Sequence, residues 1–141
     1  MQLRQSLWAA ALALTTVAAP LAAHHSFAAE YDGAKRVTMT GKVTKVEWMN
    51  PHAFFYVDVK DEKTGTTANW AFELNSPNYL MRSGWTKSSL KVDDVVTVQG
   101  ALAKDGTKQV NASTVKLTAS GKTLFAGSSD PNASPATQTP R

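Results

Sequence analysis

The chain has 141 residues, 43 % hydrophobic, 9 % aromatic and 18 % charged. That is one domain's worth of chain, and the balance excludes a wholly disordered or collagen-like protein. There is no cysteine, which excludes disulfides, thiolate metal sites and a cysteine nucleophile. Fifteen Lys and Arg against 11 Asp and Glu give a net charge of +4, too mild by itself to call for a nucleic-acid partner.

Residues 1–23 read as a bacterial export signal. Arg4 supplies the positive start, and Leu7 to Val17 is an apolar run too short to span a bilayer comfortably. Pro20 spoils cleavage after Ala19 or Ala22, which leaves Ala23 as the better cut, with Leu21 at the −3 position. His24 then opens the mature chain, and a retained N-terminal anchor is the competing reading. No later apolar run is long enough to cross a membrane. The mature protein is therefore expected in the periplasm or outside the cell. At the other end, residues 128–141 contain three prolines and no large apolar side chain, so a disordered tail is expected. The folded domain is residues 24–127.

That domain reads as all-β with one short helix. Val37, Met39, Gly41 and Val43 alternate with polar residues, then the apolar parity shifts to Val46 and Trp48. One extra residue near Thr44-Lys45 explains the shift as a β-bulge in a long first strand. Asn50-Pro51 breaks it. Phe55, Val57 and Val59 form the inward set of a second strand, with Phe54 and Tyr56 on the opposite face. After the polar turn Asp61 to Thr67, a third strand carries Trp70, Phe72 and Leu74 inward and Glu73 outward. Ser76, Pro77 and Gly84 punctuate a helix of about two turns. Two strands follow, around Val96 to Leu102 and Gln109 to Leu117, then a short hairpin to Leu124 and Phe125. Three strands, a helix and two strands is the order of a five-stranded OB-fold-like barrel with the helix between strands 3 and 4. An open β-sandwich is the alternative.

The three histidines carry most of the functional expectation. A mature chain starting at His24 offers an α-amine and an imidazole from one residue. His52 adds a second imidazole, and His25 is an alternative donor beside the amine. Three nitrogen donors in a T-shaped set suit Cu(II) best among common metals, and Met49 offers a thioether for Cu(I). The bland alternative is a solvated N-terminus and a histidine that caps a turn. Glu47 and Glu73 are expected as surface ion pairs with Lys42, Lys45 or Arg82, or as part of a ligand site with Met49 and Asn50. Phe54 and Tyr56 offer an outward stacking platform beside Lys42, Lys45 and Lys60. Export argues against nucleic acid on that platform. No catalytic constellation or nucleotide-binding motif is present.

The motifs His24-His25-Ser26-Phe27, Glu47-Trp48-Met49-Asn50-Pro51-His52, Asn69-Trp70-Ala71-Phe72-Glu73-Leu74 and Gly84-Trp85 together resemble a family of small exported bacterial proteins classed as a domain of unknown function. The resemblance spans nearly all of residues 24–127. It implies no activity, and at the level of fold the layout is similar to small periplasmic OB-fold proteins of the stress-induced type. The expectation is thus an exported binding or accessory module for a small ligand or metal ion, with copper as the candidate cofactor. A cell-envelope interaction protein without a metal and a metal-dependent enzyme are the alternatives.

Overall fold

The structure, a computed structural model, describes residues 27–127 and Asp130. The expected signal, His24, His25 and all of the expected tail except Asp130 lie outside the described residues. A single turn of helix, α1 (Phe27–Glu30), leads into β1 (Tyr31–Glu47), β2 (Phe54–Lys60) and β3 (Thr67–Glu73). Helix α2 (Pro77–Arg82) comes next, then β4 (Val95–Ala103), β5 (Gln109–Leu117) and β6 (Thr123–Phe125). The protein is mostly β, with six strands and only short helices. Strands neighbour one another in the order β3-β2-β1-β4-β5-β6, and β3 also pairs with β5. Every pairing is antiparallel except β3 with β5.

Strand β1 is the organising element because it serves two partners. Tyr31 to Lys42 pair with β4, and Gly41 to Glu47 pair with β2. Where the two pairings overlap, the strand must bend. The expected bulge is there, as a register shift between Val43 and Lys45. The strand also starts six residues before Val37, at Tyr31. Its first residues contain a second register shift, between Asp32 and Arg36. That stretch has no apolar alternation, so periodicity alone misses it.

The inward side chains form one core that includes Val43, Phe55, Val57, Phe72, Leu80, Val96, Val98, Val110 and Val115. Phe55 and Phe72 stack across β2–β3 with ring centroids 5.1 Å apart. Helix α2 closes over this core with Leu80 and Pro77. Ser76 Oγ accepts from the Tyr79 N–H at 3.4 Å as its N-cap, and Gly84 follows the helix at φ +88°. Trp85 is buried at the helix exit, and its indole N–H donates to the Phe125 carbonyl at 2.8 Å. This bond ties α2 to β6, the strand added to the five expected. Asp130 is buried, and its carboxylate pairs with Arg36, where the β1–β4 ladder resumes after its register shift.

Two glycines mark places where backbones approach too closely for any side chain. A Cβ on Gly41 would lie 2.1 Å from the Asp58 carbonyl oxygen, and one on Gly100 would lie 2.3 Å from that of Asn111. Gly100 sits at the register shift of β4 against β5. In both cases the obstacle is backbone, so the strands themselves must separate. Gly41→Ala and Gly100→Ala are each expected to lower stability by about 1–3 kcal/mol, the usual range for overpacking. Urea denaturation checks this, and an unchanged midpoint would show that the strands separate without cost.

Candidate functional site

His52 lies in the connection between β1 and β2, beside the end of β3. Backbone bonds hold the two together: the Leu74 N–H donates to the Ala53 carbonyl at 2.8 Å, and the Ala53 N–H to the Asn75 carbonyl at 3.2 Å. The loop cannot move from β3 without breaking both. His52 Nδ1 then meets Glu73 Oε1 at 2.5 Å. A carboxylate accepts, so Nδ1 carries a hydrogen, and in the neutral imidazole the lone pair then lies on Nε2. The imidazole is about one-third exposed, and Glu73 is only 5 % exposed.

The second oxygen of Glu73 is also occupied. The Tyr31 hydroxyl donates to Oε2, and the Gln109 amide nitrogen donates to that hydroxyl at 2.5 Å. Four residues from four segments thus share one network around a buried carboxylate. Burial is the main cause that pushes the Tyr31 phenol above its ordinary pKa, and the Glu73 carboxylate adds to it. The phenol therefore stays protonated and remains a donor throughout the neutral range. Phe27 of α1 stacks on Tyr31 with ring centroids 5.8 Å apart. The Lys104 N–H and ammonium bind the carbonyls of Glu30 and Ala28 at 2.8 and 2.6 Å, fastening α1 against the β4–β5 turn. A cleft of ≈ 510 Å³ opens there, lined among others by Glu30, Tyr31, Lys104, Thr107 and Gln109.

The expected surface ion pair of Glu73 with Lys42, Lys45 or Arg82 is corrected. Its side chain points away from the Phe72/Leu74 set, as the alternation predicts. But Tyr31 and His52 cover that face and bury it. Glu47 does pair with a lysine, Lys45, and accepts the Tyr56 hydroxyl at 2.9 Å. Phe54 and Tyr56 are half-buried, and Met49 and Asn50 are exposed beside His52 in the chain. Tyr31 and Gln109 are the residues that sequence reasoning missed. They lie 42 residues before and 36 residues after Glu73, and no local pattern signals the contact. Among the described residues there is no group of three or more His, Asp or Glu side chains that could hold a metal. None of their helices is long and apolar enough to cross a membrane.

A family model described as a family of unknown function, DUF6152, matches residues 11–112. The chain belongs to that family. The match includes the Asn50-Pro51-His52 and Asn69-to-Leu74 segments, which build the His52–Glu73 contact, and residues 31 and 109, which complete the network. No curated protein and no solved structure matches the chain.

Two outcomes are expected here. Tyr31→Phe removes one donor to a buried carboxylate and is expected to cost about 1–3 kcal/mol in denaturant unfolding; no loss would show that water replaces the hydroxyl. Glu47 titrates below the usual carboxylate range, first because of its Lys45 hydrogen bond and then because of Tyr56. A depressed carboxylate stabilises the fold above its unfolded pKa of about 4.3 and loses that contribution as pH falls through its folded value. Lys45→Met is expected to raise the Glu47 midpoint in an NMR titration and flatten the fall of melting temperature over that acid window. An unmoved midpoint would contradict the assigned cause.

Proposed function

We propose that this DUF6152 protein is an exported, OB-fold-like binding module that holds copper at the end of the domain where His52 lies. The observation that carries the reading is the 2.5 Å contact between His52 Nδ1 and the buried Glu73. A metal-binding histidine commonly donates its other ring N–H to a carboxylate, which fixes the tautomer and raises the basicity of the free nitrogen. His52 has that arrangement before any metal arrives.

The other donors on this reading are the amine and imidazole of His24, with His25 as the alternative. Phe27 stacks on Tyr31, whose hydroxyl reaches Glu73. Residue 24 is three positions earlier, and three residues extend up to ~10 Å. The stack puts Phe27, the first described residue, next to the Tyr31–Glu73–His52 network, which supports donors from residues 24 and 25. Nitrogen donors in this number favour Cu(II), and the exposed Met49 supplies a soft donor for Cu(I). The ring of pairings β1–β2–β3–β5–β4–β1 supports the five-stranded barrel, with β6 as an added edge and α2 between β3 and β4. A carrier or accessory role in the cell envelope follows better than catalysis, because the network orients one ligand and supplies no separate acid or base.

The test is a Cu(II) titration against a competing chelator, using secreted protein whose intact mass shows His24 first. His52→Ala is expected to weaken binding at least about tenfold, and Glu73→Gln about 10–100-fold through loss of orientation. Electron paramagnetic resonance should show nitrogen hyperfine structure that changes in His52→Ala. Equal affinity in both variants would contradict the reading.

A further inference from the structure

Arg36 and Asp130 stand 94 positions apart, and their ion pair uses none of the residues that hold His52. The two partners are unequal. Asp130 exposes 1 % of its side chain, Arg36 41 %. A carboxylate taken that far out of water needs its partner, because a buried charge without one is costly. Arg36 keeps much of its solvation and does not depend on Asp130 in the same way. Arg36 is therefore the receiving group, and Asp130 the group received.

The strands around Arg36 are irregular in two places. Arg36, Val37 and Thr38 pair with Ala101, Gly100 and Gln99, directly after the register shift that follows Asp32. A second shift, between Gln99 and Gly100, skips Ser113 in the pairing of β4 with β5. The Ser113 hydroxyl donates to the Gln99 carbonyl at 3.0 Å. Such bulges re-aim side chains. Here they border a cavity of ≈ 260 Å³, lined by Arg36, Val37, Thr38, Gln99, Gly100 and Ser113. Arg36 is the one charged residue in that lining, and the adjacent Lys35 pairs with Asp32 at 3.6 Å. One cation with hydroxyl and amide groups beside it suits a carboxylate. The C-terminal segment reaches Arg36 from a fixed point. The Ala126 N–H donates to the Ser113 carbonyl at 2.9 Å, and Asn75 Nδ2 donates to the Gly127 carbonyl at 2.5 Å. Asp130 follows three residues after Gly127, a reach of up to ~10 Å. Residues 128–141 carry no large apolar side chain, so charge rather than apolar burial selects the occupant.

We infer that the ladder at Arg36 is a receptor for an aspartate-bearing peptide segment, and that this chain's own C-terminal segment occupies it through Asp130 as a tethered ligand. A short tether gives Asp130 an effective concentration of about millimolar order. The same segment on a second copy therefore competes poorly until Asp130 is removed. The receptor needs neither His52 nor a metal, so it stands or falls apart from the copper reading.

The experiment titrates a synthetic peptide of residues 127–134 into the full chain and follows it by NMR. Asp130→Ala in the chain vacates the receptor and is expected to give saturable shifts at Arg36, Thr38, Gln99 and Ser113. Wild-type protein should bind the same peptide at least about tenfold more weakly, because its own segment is in place. Arg36→Gln added to Asp130→Ala should abolish the shifts. A peptide with asparagine in place of the aspartate should bind the vacated chain at least about tenfold more weakly. Asp130→Asn keeps the side chain's shape and takes the place of Asp130→Ala where that variant does not fold. No saturable binding to the vacated chain would overturn the inference. So would equal binding to wild type, or binding that survives Arg36→Gln.

Discussion

One buried carboxylate sets the arrangement of the candidate site. Glu73 has both oxygens committed, one to His52 and one to Tyr31. Removing a carboxylate from water is costly unless its hydrogen bonds are replaced, so each partner is needed for the other contacts to persist. The consequence reaches well beyond the pair. Tyr31 is the first residue of β1, and holding it over β3 requires β1 to begin early and to accept a register shift before Arg36. Gln109, at the start of β5, completes the hydroxyl's bonding exactly where β5 meets β3 in parallel. The end of the domain is thus closed by polar bonds, while its interior is closed by Val and Phe side chains.

The absence of cysteine gives this closure its weight. A chain without cysteine has no disulfide to brace it. Here cohesion comes from a continuous apolar core, from strands paired around a ring, and from cross-ties at the ends. Trp85 ties α2 to β6, and Lys104 ties α1 to the β4–β5 turn. Gly41 and Gly100 allow the strands to approach closely where the ladder bends.

Much of the fold was legible because its signals are local. The parity change between Val43 and Val46 located the bulge, and Ser76-Pro77 with Gly84 located α2. The opposite sides of Phe72 and Glu73 were legible from alternation. What was not legible depends on long-range contact. Alternation says that Glu73 faces away from the core, and only the fold brings Tyr31 and His52 over it. Residues 31–36 pair with β4 without an apolar pattern, and β6 is too short to announce itself. His52 stands out by its residue type, whereas its orienting partner Glu73 reads in the sequence as a surface acid.

The central claim is that Glu73 holds His52 with Nδ1 protonated and Nε2 free. Long-range proton–nitrogen NMR of the metal-free protein at neutral pH measures this tautomer directly. The account predicts the Nδ1–H form for His52 in the wild type, shifting toward the ordinary mixture in Glu73→Gln. A wild-type His52 with its hydrogen on Nε2 would contradict it.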